Sequence, residues 1–168
     1  MTMTEQNIHT NETEAKPNGL GGWLILIGIG IILAPIKISY FVYSTYGEIF
    51  SDGVWELLTT VGTEYYQQYF GTLLIIEISI NILLSFAILY TAYLFFSKKI
   101  TFPKWYIGIL IFTILFMIID ALAVSVIFPD TEAFDESTTL ELARSVVAAI
   151  IWIPYMLISV RVRNTFIN

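Results

Sequence analysis

Lys37, Glu77, Asp120 and Arg144 are ionisable residues set in long runs of isoleucine, leucine and phenylalanine. A charge at the centre of a bilayer costs about 2.5 to 3.5 kcal/mol on insertion scales, so each of these groups should face other helices and find a partner. Two are cations and two are anions, which allows formal cancellation. Asn81 and Ser85 follow Glu77 at helical spacing and would extend a polar cluster one and two turns along the same face. Such a cluster admits three readings. It could be a set of ion pairs that fixes which helix packs on which, with Lys37 and Arg144 reaching to headgroups. It could be a binding site or proton relay for a small ligand or ion. It could also be a site shared with a second subunit.

The elements that must position these residues follow from length and composition. Of 168 residues, 57% are hydrophobic and 13% charged, with a mean hydropathy of +0.76. That composition lies far outside the soluble globular range. A helical span needs about 20 mostly apolar residues. Four segments qualify: 22–43, 70–96, 105–128 and 140–160. They are too long and too uniformly apolar for barrel strands, so the expected fold is an all-α, four-helix integral membrane bundle over residues 20–168. At about 1.5 Å per residue, Lys37 and Asp120 lie roughly 22 Å along their helices, Glu77 about 10 Å and Arg144 about 6 Å below the opposite ends of theirs. All four then occupy one layer.

Charge in the connections predicts orientation. Lys98, Lys99, Lys104, Arg161 and Arg163 flank spans without an acid among them, whereas the loops 47–69 and 129–139 hold eight acids and no base. The positive-inside rule then puts both termini in the cytoplasm. Trp23, Trp105 and the Tyr65, Tyr66, Tyr69, Phe70 group fall near span ends, where amphipathic rings prefer the headgroup level. Val54, Trp55, Leu57, Leu58 and Val61 have the spacing of a short helix anchored on the membrane surface. Residues 1–19 are polar and without a signal-peptide pattern, and are expected to form a disordered cytoplasmic leader.

Pro35 and Pro154 interrupt the first and fourth spans, each leaving a carbonyl four residues earlier without its donor, so bends are expected at both. Gly30 and Ala34, with Gly28 beside them, form a small-residue surface for close helix packing, for which contacts within the chain suffice.

Several chemistries are excluded. The chain has no cysteine, and its one histidine, His9, lies in the leader. Thiol catalysis, disulfides and histidine- or cysteine-based metal sites are therefore not expected, and no cofactor or metal is. Phosphate-binding, dinucleotide and nucleophile-elbow motifs are missing. The net charge of -6 argues against nucleic acid. Asn11, Glu12 and Thr13 match a glycosylation acceptor, but on the cytoplasmic side the match has no meaning.

Gly21, Gly22, Trp23 and Leu24 at the first span, Glu77 and Asn81 in the second, Phe95 and Phe96 before Phe102 and Pro103, and the terminal set Trp152, Pro154, Tyr155, Ser159, Arg161, Thr165 and Phe166 form a recognisable pattern. It resembles domain of unknown function family 2569, small bacterial membrane proteins, over nearly all of 21–167. The resemblance implies a four-helix protein of the bacterial inner membrane and supplies no mechanism. Glu77, Asn81, Pro154, Tyr155, Ser159 and Arg161 match the family pattern.

The leading functional expectation is a non-enzymatic accessory protein that acts by interaction, its partners being the bilayer and a protein or a second copy. The alternative is an ion or small-solute transport or sensing unit built on Lys37, Glu77, Asn81, Asp120 and Arg144. A membrane enzyme with Glu77 or Asp120 as general base comes third.

Overall fold

The computed structural model describes residues 18–168; the expected leader lies almost entirely outside them. Among the described residues the structure is all-helical. α1 (Trp23–Phe41) passes through a π-helical segment (Val42–Tyr46) into α2 (Gly47–Ser51), followed by α3 (Val54–Thr59), α4 (Phe70–Phe96), α5 (Phe102–Ile127), α6 (Glu136–Ile158) and α7 (Val160–Thr165). Four helices are long and apolar enough to cross a membrane: 23–51, 70–96, 102–127 and 136–158. α1 packs on α4, α4 on α5 and α5 on α6.

The side chains distribute as lipid demands. Ile36, Leu83, Phe86, Ile119 and Ile150 are each more than half exposed, apolar surface that hydrocarbon can cover. The best-packed core sits at the end that carries the termini. There Leu24, Ile27, Leu94, Phe95, Phe102, Met156, Val162 and Phe166 bury one another. Phe102 stacks on Phe166 with ring centres 4.4 Å apart, and Phe95 meets Phe102 edge-on at 5.1 Å.

Local signals explain the boundaries. α5 starts earlier than expected because Pro103 occupies its first turn, where the missing N–H costs nothing. Asp135 caps α6, accepting from the Thr138 N–H at 2.8 Å, so α6 begins before the predicted 140. Bonds from the Thr138 side chain, its N–H and Ser137 hold the Asp135 carboxyl below the usual carboxylate range. The fourth span ends at Ile158, not Val160. Ser159 turns extended and caps α7, its hydroxyl accepting from the Val162 N–H at 3.4 Å. Both α1 and α6 run on through their prolines. Further along, the first span changes to π geometry at 42–46 and the fourth breaks at Ser159.

The first span extends well past the predicted end at Tyr43. A π turn holds one residue more than an α turn and so rotates the following residues about the helix axis. Here it carries Tyr46 into the bundle, only 4% exposed. α3 forms where the spacing of Val54 to Leu58 predicts it, and Trp55 lies against Gly71 of α4. Gly28 does pack internally: a Cβ there would stand 3.0 Å from the Phe95 ring. Gly30, expected in the same contact surface, instead faces outward with nothing within 4 Å.

Candidate functional site

Two sets of the residues singled out in the sequence come together, at opposite ends of the bundle. The first lies toward the acidic loops. Tyr46 donates its hydroxyl to Glu77 Oε1 at 2.8 Å, and Asn81 Nδ2 donates to the Tyr46 oxygen at 3.0 Å. Asn81 also donates to the Glu77 carbonyl at 3.0 Å, which ties its amide to the turn that presents the carboxylate. The result is a directed chain, amide to phenol to carboxylate, joining the end of the first span to α4. Ser85 does not extend it, since its hydroxyl turns back to the Asn81 carbonyl at 2.9 Å.

Asp120 approaches from α5. It is partly buried, within electrostatic reach of Glu77 and Tyr46, and hydrogen-bonds to no described residue. Two carboxylates therefore feel each other's charge, and neither has a basic partner among the described residues.

The paired cluster of four charges expected from the sequence does not form. Lys37 instead makes an ion pair with Glu141 at 3.2 Å, the only ion pair among the described residues. The two side chains are 75% and 52% exposed, and they join α1 to α6 at the surface. Arg144, one turn beyond Glu141, is exposed and pairs with no described residue. The physical reason is reach: the long lysine stem extends outward to a carboxylate nearer the helix end, so Glu77 and Asp120 are left with each other. Sequence reasoning passed over Glu141, although it lies just inside the predicted fourth span. It also missed Tyr46, which the predicted boundary placed in a loop.

The second set lies at the terminus end. Arg161 donates from Nη1 to the Asn18 carbonyl at 3.1 Å, and its guanidinium lies across Gly21 and Gly22. A Cβ at Gly21 would stand 3.0 Å from Arg161 Nη1. Gly22 has φ +59, a left-handed conformation that side-chain-bearing residues rarely take. Thr165 donates to the Gly19 carbonyl at 3.2 Å. Trp152 meets Trp23 and Tyr155 edge-on, at 6.3 and 5.9 Å. Pro154 is exposed on the same helix. These residues clasp the two ends of the described chain, which is a structural task and brings no reactive group forward.

Residues 17–167 match the family described as protein of unknown function DUF2569, and the chain belongs to it. No curated protein and no solved structure shows a significant match. With its four apolar helices, the chain is a multi-pass membrane protein of that family.

Proposed function

We propose that the protein binds a proton or a monovalent cation at Glu77 and Asp120 and responds to its occupancy. The observation that supports this is the hydrogen-bonded chain from Asn81 through Tyr46 to Glu77, with Asp120 opposite and no base among the described residues to neutralise the pair. An uncompensated pair of carboxylates in a membrane bundle is costly unless a cation or proton joins it. Because Tyr46 comes from the first span and Glu77 from α4, a change of charge at the carboxylate acts on the contact between two helices. On this reading the site lies in the outer half of a bacterial inner membrane with both termini cytoplasmic; the charge bias of the loops supports the orientation and the family resemblance supports the membrane.

Thermal unfolding of the protein in one mild detergent, across pH 5 to 9 and with or without sodium or potassium, tests the proposal. The expected result is a melting temperature that depends on pH or cation in the native protein and in Lys37→Met. That dependence is lost in Glu77→Gln and Asp120→Asn. A native protein indifferent to both variables overturns it.

A second reading is favoured by a separate observation, the eight acids and no base in the loops 47–69 and 129–139. Such a face suits a basic protein partner, and the accessory role rests on it. An enzymatic role for Glu77 or Asp120 has less support, because neither residue lines the groove between α4 and α5 or the one beside Ser44 and Asp52.

A further inference from the structure

A groove of about 460 Å³ lies between α4 and α5 at the terminus end. Tyr90 and Trp105 wall it, Gly108 and Ile109 lie along its length, and Thr101 and Lys104 stand at its rim. Contacts tie the walls together. Trp105 donates its indole N–H to the Ala87 carbonyl at 3.4 Å, and Tyr90 meets the Trp105 ring edge-on at 5.2 Å. No side chain fills the space over Gly108, where a Cβ would have nothing within 4 Å. From Thr101 to Ile109 the groove runs about 12 Å along α5. Its neighbours Tyr93 and Phe112 are about half exposed, so it opens onto the apolar surface that faces lipid.

Charge decides the occupant. Five of the eight basic residues, Lys98, Lys99, Lys104, Arg161 and Arg163, lie at this end, and no acid occurs in 97–119 or 142–168. Lys104 and the Thr101 hydroxyl make no hydrogen bond or ion pair with a described residue, so both are available to a ligand at the rim. Tryptophan and tyrosine at the same height mark the headgroup level. We propose that the groove holds an anionic phospholipid, its phosphate on Lys104 and Thr101 and one acyl chain laid over Gly108 alongside the paired Tyr90 and Trp105 rings. This site is independent of the carboxylate pair at the other end of the bundle.

Tryptophan quenching by brominated lipid tests it on the full chain in vesicles. Brominated phosphatidylglycerol in unlabelled phosphatidylcholine is compared with the reverse labelling. Subtracting Trp105→Phe removes the signal of the other tryptophans. The Trp105 signal is expected to be quenched preferentially by the brominated anionic lipid. About a fivefold preference follows from one basic residue near the surface, and it is lost in Lys104→Gln. Gly108→Leu, which fills open space and leaves the helical circular dichroism intact, is expected to remove the preference as well. Equal quenching by both lipids, or a preference that survives Lys104→Gln, overturns the proposal. So does a Trp105 signal that neither lipid quenches, as a protein occupant would give. Loss of the preference in millimolar inorganic phosphate would assign the rim to free phosphate and also overturn it.

Discussion

Tyr46 is the residue on which the carboxylate site depends most, and a small change isolates its part. Tyr46→Phe keeps the ring against Phe41 but leaves Glu77 Oε1 without its donor and removes one of the two acceptors of Asn81 Nδ2, which keeps the Glu77 carbonyl. Stranding partly buried polar groups costs about 1–3 kcal/mol, so detergent unfolding should show a loss of that size. A loss no larger than that of Tyr43→Phe, on an 81% exposed ring, would mean that water replaces the phenol. For Lys37 and Glu141 the expectation is opposite. Exposed pairs contribute about 0–1 kcal/mol, so a double-mutant cycle with Lys37→Met and Glu141→Gln should give a coupling in that range. A larger coupling would show that lipid shields the pair. At this scale the sequence was half legible. Residue type alone marks Glu77, Asn81 and Asp120, because polar groups stand out in apolar helices. Their partners do not follow from type, because a span that is apolar on all sides has no periodicity to show which face is inside.

The long helices were the most legible elements, since length and hydropathy alone identify a span. α4 occupies the expected 70–96, and the other three differ at their ends for local reasons: the π turn, Pro103, the Asp135 cap and Ser159. A π turn has no sequence signature as plain as a proline, which is why Tyr46 was lost to the loop. Two predictions belong to the helices. Gly28→Ala pushes against the Phe95 ring, and overpacking of this kind costs about 1–3 kcal/mol, whereas Gly30→Ala in open space should be neutral or stabilising by up to about 1 kcal/mol. Paired melting curves distinguish them, and equal effects would contradict the packing. The cap of α6 gives a pH dependence. The Asp135 carboxyl is held below its ordinary value of 3.8, so its charge stabilises the folded state above that pH, and the gain disappears as pH falls through the lower folded value. Asp135→Asn keeps an acceptor without the charge. It should therefore melt below the native protein at neutral pH and converge with it in acid below that value, while a constant difference would exclude the charge as the cause.

Across the molecule, burial is uneven: the terminus end is closed by aromatic packing, while the carboxylate site at the other end is held by a few polar contacts. Phe166→Ala empties a ring that is 3% exposed and stacked on Phe102, and a cost of ~3 kcal/mol is expected. Phe86→Ala removes a ring that is 65% exposed to lipid and should cost far less, because lipid tails refill the space. Similar losses at the two positions would show that the packed end is not where the stability resides. The clasp also bears on how the protein is made. Arg161, Thr165 and Phe166 are synthesised after all four spans, yet they hold Asn18, Gly19 and the start of the first helix. During synthesis the first span must therefore wait in the membrane without these contacts until the segment 161–166 has followed it out of the ribosome.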